Sequence, residues 1–330
     1  MKNIFFGIFI CVIFGIIAKF LGSLVPIVGG PVFGIIIGII IGNFFKLPSS
    51  ANKGVKFTSK KILQWAIIIL GGSLSFNEVF STGLNSLGLM VITLSITFIS
   101  AILINKKLKI GFNLSSLIAS GTAICGGSAI AAVGPAINAD DSEIAYSISV
   151  IFLFNVIAAL IFPFLGHFMQ MNYYDFGLWA GTAVNDTSSV VAAAFSYNDI
   201  SGNYAVIVKL TRTLFIIPVA FIFAIITSRR QKNQNIAEDT SKNNKLWKNF
   251  PFFILGFLAM SILNTIGVFN ADFTSFFAAA GKFMITVAMV AIGLNTNFQK
   301  IRESGAKPIL MGFLLWTILS ISSLILINIR

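Results

Sequence analysis

The fold class this sequence predicts is an all-α, polytopic membrane protein of about eleven transmembrane helices, with an inverted repeat and broken helices. Three observations carry the expectation. Of 330 residues, 56% are hydrophobic and only 10% are charged. Mean hydropathy is +0.91, well beyond that of a water-soluble domain. Apolar runs long enough to cross a hydrocarbon core of roughly 30 Å recur from one end of the chain to the other and leave no room for a large soluble domain.

In chain order the runs are 4–20, 23–45, 62–79, 84–104, 112–137, 144–166, 176–197, 203–227, 249–268, 275–297 and 308–328. The first follows Lys2 without a small-x-small cleavage pattern, so it is expected to remain as a span rather than leave as a signal peptide. Residues 1–330 read as one transmembrane domain. Its only long polar stretch, 228–248 within "TSRRQKNQNIAEDTSKNNKLWK", reads as a flexible cytoplasmic linker.

The formal charge of +12 lies in short loops rather than in a basic domain, which excludes a nucleic-acid binder. Lys46, Lys53, Lys56, Lys60 and Lys61 fall in the second loop, and Lys106, Lys107 and Lys109 in the fourth. Arg229, Arg230, Lys232, Lys242, Lys245 and Lys248 fall in the eighth, and Lys300, Arg302 and Lys307 in the tenth. All four loops are even-numbered, while the acidic stretch Asp140, Asp141, Glu143 is in the fifth. The positive-inside rule then places the N-terminus in the cytoplasm and the C-terminus outside. Cys11 and Cys125 lie inside apolar runs and suggest neither a disulfide framework nor a metal site.

Two internal similarities stand out. An offset of 222 lays 60–83 on 282–305, matching Lys60 with Lys282, Ala66 with Ala288, Gly71 with Gly293, Phe76 with Phe298 and Gly83 with Gly305. The two segments would cross in opposite directions, as an inverted repeat requires. "GTAICGGSAIAA" (121–132) also resembles "GTAVNDTSSVVA" (181–192). Spans two apart point the same way, so this pair fits that duplication only if one segment is re-entrant.

The polar residues within the spans mark a candidate site. Thr182, Asp186 and Ser189 are spaced to share a helical face, with Asn185, Thr187 and Ser188 beside them. A carboxylate at mid-membrane costs at least roughly 2.5 kcal/mol, so Asp186 is expected to face a cavity or a partner. Lys209 and Arg212 share a face of the next span and either anchor at the outer interface or line that cavity. Asp186, Lys209, Arg212 and Lys282 within the spans give three positive charges and one negative, a balance of +2 that suits an anion. In 121–135, Gly126 and Gly127 beside Thr122, Cys125 and Ser128 would let the helix break, exposing N–H groups able to hold a small oxyanion. The plainer reading is close packing of helices through small residues.

With "VKLTRTLFIIP" and "AMVAIGLNTNF", the paired motifs make nearly the whole chain resemble the YeiH-type bacterial membrane family, uncharacterised protein family 0324, assigned as sulfate exporters. The resemblance implies a multi-pass plasma-membrane protein that exports a sulfate-like anion, on the two-bundle plan of the bile-acid and sodium/proton transporter superfamily. Its partners would be a small inorganic anion, protons as coupling ion, the lipid bilayer, and further copies of the chain if it forms a homo-oligomer. Asn185 and Asp186 also resemble the Asn-Asp pair of some cation/proton antiporters, so a sodium/proton antiporter is the alternative. No H-E-x-x-H pair, P-loop or nucleophile elbow is present, and His167 reads as an exposed loop residue. Neither an enzyme nor a cofactor is therefore expected.

Overall fold

In the computed structural model, which describes residues 2–25, 28–45, 48–233, 252–296 and 305–329, every regular element is helical. Six helices among the described residues are long and apolar enough to cross a bilayer: Ile4–Leu24, Phe76–Leu108, Ser142–Phe168, Asp199–Arg230, Ala271–Asn295 and Ala306–Ile329. Shorter apolar helices lie between them. The linker residues 234–248, with Lys46, Lys300 and Arg302, lie outside the described residues.

The helices gather into two bundles. One contains α1 (Lys2–Leu24), α2 (Gly29–Phe44), α3 (Asn52–Phe57), α4 (Leu63–Gly71), α13 (Phe253–Thr265) and α14 (Ala271–Asn295). Thr58–Ile62 form a π-helical turn that joins α3 to α4, so the third crossing starts earlier than its hydropathy suggests. Small residues let this bundle close. A Cβ on Gly38 would come within 2.3 Å of the Val290 carbonyl oxygen, and one on Gly293 within 2.4 Å of that of Ile35, so α2 and α14 touch backbone to backbone. Of the segments matched at an offset of 222, 60–71 and 282–295 lie side by side here, while Phe298 lies outside the described residues. Asn295 donates to Ser59 at one end of the α4–α14 pair, and Gly281 packs on Leu70 at the other, so they run in opposite directions as expected.

The second bundle is built on α5 (Phe76–Leu108), α8 (Asp141–Phe168), α11 (Asp199–Thr213), α12 (Ile216–Asn233) and α15 (Ala306–Ile329). Between them lie α6 (Phe112–Ala123) with α7 (Gly127–Ala136), and α9 (Tyr173–Ala183) with α10 (Thr187–Tyr197). Both pairs double back. A Cβ on Gly134 would stand 3.8 Å from Leu117, and one on Gly121 would stand 2.9 Å from Ile130. On a continuous helix Leu117 and Gly134 would be roughly 25 Å apart. Likewise Phe176 stacks on Tyr197 with ring centroids 3.9 Å apart. The expected spans 112–137 and 176–197 are thus helical hairpins, while the all-α polytopic class and the broken helices stand. Hydropathy cannot separate a crossing helix from two apolar half-helices of the same summed length.

The hairpins resolve the direction of the second repeat. A single helix, α8, runs from the base of the first hairpin to the base of the second, so the two enter from opposite ends and meet tip to tip. They also correct the loop assignment. The Glu143 carboxylate accepts a 3.1 Å hydrogen bond from Asn113 at the base of the first hairpin, just beyond Lys109, and Arg230 stacks over Phe112 at 3.7 Å. The 140–143 stretch therefore shares its end with Lys106, Lys107, Lys109, Arg229 and Arg230, not the opposite end. Counting each hairpin as a crossing swaps the ends of the fifth and sixth loops, and the two errors cancel after residue 197. Lys53, Lys56, Lys60 and Lys61 lie at this same basic end, whereas Glu78, Asp175, Asp199 and Asp272 start helices at the other, acidic end.

Candidate functional site at the hairpin tips

The tips are residues 124–126 and 184–186, and both are held by one side chain. Lys209 of α11 is fully buried. Its ammonium donates 2.8 Å to the Ile124 carbonyl and 2.9 Å to the Val184 carbonyl, the groups that cap the C-terminal ends of α6 and α9. A helix C-terminus carries unpaired carbonyls and partial negative charge, so one cation satisfies two such ends at once.

The outgoing half-helices begin differently. Gly126 precedes α7 at φ +69° and ψ −129°, a conformation closed to residues with a Cβ, and supplies no side chain to cap it. Asp186 precedes α10, and its carboxylate accepts a 3.0 Å bond from the Ser188 N–H and another from the Ser188 hydroxyl. The Asp186 N–H donates 3.0 Å to the Asn155 side-chain oxygen on α8. The two tips touch, since a Cβ on Gly126 would lie 3.2 Å from that of Asp186.

A cavity of about 430 Å³ separates the bundles and ends on these tips. Ser59, Lys60, Gln64 and Asn295 of the first bundle line it toward the basic end. Gly127, Ser128, Asn155, Asp186, Thr187 and Ser188 of the second form its floor, so the N-terminal turns of α7 and α10 both face it. Among the described residues, Asp186 and Lys60 are the only ionisable groups lining it.

Of the residues expected at a site, Gly127, Ser128, Asp186, Thr187 and Ser188 line the cavity, with Gly126 packed against Asp186 beneath them. Thr122, Cys125, Asn185, Lys209 and Arg212 do not. They are buried at or behind the tips, and the side chains of Thr122, Asn185 and Arg212 find no hydrogen-bond partner among the described residues. Lys209 and Arg212 therefore neither line the cavity nor anchor at an interface. The expected stripe of Thr182, Asp186 and Ser189 does not exist either, because the chain turns between the first and the other two. Lys282 is no free charge: it pairs with Asp199 at 2.6 Å, which lowers the balance expected within the spans. Asn155 escaped the sequence reading. Its signal was a lone amide inside the apolar run of α8, legible once a partner tip was known.

The family model described as "Conserved hypothetical protein 698" matches residues 6–312. The chain belongs to this family. It is 46% identical to a UPF0324 membrane protein of Fusobacterium nucleatum, over 98% of this chain and 97% of that one. It is 43% identical to the UPF0324 membrane protein of Clostridium tetani, covering 96% and 94% of the two chains. A UPF0324 membrane protein of Streptococcus agalactiae is 44% identical over 96% and 95%. No solved structure matches the chain. As a UPF0324 member this is a multi-pass membrane protein, and the tip-to-tip hairpins are the feature of its structure from which a function can be argued.

Proposed function

We propose that the protein is a secondary transporter of a small inorganic anion of the sulfate class, coupled to protons, working by alternating access between its two bundles. The observation that carries this is the pair of re-entrant hairpins entering from opposite ends and meeting on the floor of an inter-bundle cavity. Broken helices within a membrane place backbone dipoles where an ion must be held without water, which a passive scaffold does not need. Two helix N-terminal turns facing one cavity favour an anion. Lys209 and Arg212 add to that preference from behind the tips, because buried charges in a low-dielectric setting act over several ångströms. With Asp186 ionised the crossing carries two positive charges and one negative, a net +1; protonation raises it to +2.

Anion and proton therefore reinforce one another's binding, and by linkage the coupling is reciprocal. In this reading the basic end faces the cytoplasm of a bacterial plasma membrane, with the N-terminus inside and the C-terminus outside, an orientation supported by the excess of Lys and Arg at that end. In proteoliposomes with an imposed pH gradient, labelled sulfate should move in the parent protein. Asp186→Asn should retain movement but lose its dependence on pH. Equal pH dependence in parent and variant would rule out Asp186 as the proton site.

A second reading rests on one observation: the cavity is lined by the Asp186 carboxylate and not by Lys209 or Arg212. A sodium/proton antiporter would use Asp186 with the oxygens of Thr187, Ser188 and Asn155. Sodium-dependent proton flux without sulfate movement in the same vesicles would select it.

A further inference from the structure

We infer that the groove between α5, α6 and α12 is a binding site for one anionic phospholipid of the surrounding bilayer. The groove is separate from the inter-bundle cavity and has a volume of about 910 Å³. Its walls are apolar, with Leu94, Phe98, Ile102, Val219, Ile222 and Phe223 among them. Its mouth at the basic end carries Lys106 and Arg230, and no carboxylate lines it among the described residues. Along α5 the lining runs from Val91 to Lys106. At 1.5 Å per residue that is roughly 22 Å, about half of a bilayer measured with its headgroups.

The occupant follows from this shape and charge. An acyl chain fits the apolar length, and a phosphodiester at the end of it meets two cations. The guanidinium is built into position: Arg230 lies over the Phe112 ring at 3.7 Å, and Phe223 tilts against both Phe112 and Phe98 in the groove wall. Among the described residues neither cation has a salt bridge, so the fork of Arg230 is free to take a phosphate. Basic mouths between membrane helices recognise anionic headgroups in this way. Ser115, Ser116 and Ala119 place one arm of the first hairpin in the groove wall, so an occupying lipid bears directly on the helix that carries a tip.

The test is native mass spectrometry of the purified full-length protein released from micelles containing phosphatidylglycerol or phosphatidylcholine with identical acyl chains. Phosphatidylglycerol should be retained preferentially. The double variant Lys106→Gln/Arg230→Gln should lower its retention on the order of tenfold. Lys53→Gln/Lys56→Gln, which removes two cations from the same end outside the groove, should leave it unchanged. Ser95→Trp, at an exposed position in the inner, apolar half of the groove, should abolish retention with both cations intact. No preference between the lipids would overturn the site, as would equal losses in the two double variants. Retention that survives Ser95→Trp would overturn it too, leaving only diffuse attraction to a basic surface.

Discussion

The two hairpins are variations on one device. Each turns just after a Gly-Thr-Ala sequence, each ends its incoming helix on a carbonyl held by Lys209, and each sends an outgoing helix past the same cavity. The difference that matters is at the residue that opens the outgoing helix. The first hairpin turns on Gly126 and leaves the N-terminus of α7 without a side-chain cap. The second turns on Asp186, whose carboxylate caps α10 itself. A backbone plan that alone would make two equivalent helix N-termini therefore makes one without a side-chain cap and one capped by its own acid. The difference teaches how one scaffold can present two unlike helix termini to one cavity: the shared Lys209 holds the geometry, and the unshared residue decides whether the terminus is capped.

The largest expected effect breaks what the hairpins share. Lys209→Met removes the single donor to two buried carbonyls, and loss of one partner from such a buried charged network costs about 3–5 kcal/mol. Arg212→Met, three residues along the same face, removes a guanidinium with no hydrogen-bond partner. Replacing an unpaired buried charge by an apolar chain should be neutral or stabilising, within about 1 kcal/mol. Denaturant unfolding in micelles compares the two directly. If Arg212→Met destabilised as much as Lys209→Met, the view that Lys209 alone clamps the tips would be wrong.

The next effect separates the tips. Gly126→Ala forces a Cβ into a positive-φ conformation and against Asp186, and should cost about 1–3 kcal/mol. Asp186→Ala loses an N-cap and should cost about 1 kcal/mol, while Asp186→Asn keeps the cap and should stay within about 0.5 kcal/mol of the parent. The same unfolding measurement ranks all three. A ranking with Asp186→Asn lowest would mean that the acid, rather than its capping geometry, holds the second tip.

Much of this arrangement could be read in the sequence, but unevenly. Class, the surplus of Lys and Arg in alternate loops and the Gly-Thr-Ala segments that lead into both tips follow from hydropathy, loop charge and the repeated motif, whereas the end to which 140–143 belongs and the turn at 184–186 do not. The doubling back of 112–136 does not, because half-helices of apolar residues have the composition of a crossing. The fate of Lys209 was hidden for a related reason. Its partners are backbone carbonyls, and a carbonyl leaves no mark on the sequence, whereas Asn155 left a faint one. Lys282 appeared unpaired because Asp199 starts a helix 83 residues away, and nothing local connects them.

That last pair sets the smallest and most telling comparison, between the two ends of the cavity. At the basic end the bundles part around Lys60 and Asn295. At the acidic end they meet: Lys282 of the first bundle pairs with Asp199 of the second, and Gly29 packs so tightly on Ser196 that a Cβ there would stand 2.8 Å from its Cα. Both members of the pair are partly exposed, so Lys282→Ala should change stability by less than about 1 kcal/mol. Its effect should appear in conformation instead. If the pair forms only while the acidic end is closed, a loss of about 0.5 kcal/mol shifts the balance of the two states by roughly twofold. A cysteine introduced as Thr187→Cys on the cavity floor, with Cys11 and Cys125 buried, should then react faster with an impermeant thiol reagent added from the acidic end. Exchanging the charges, Lys282→Asp with Asp199→Lys, should restore the slower rate. Unchanged labelling in Lys282→Ala would mean that the close packing of α2 on α10 holds this end shut and that the ion pair is an ornament of the surface.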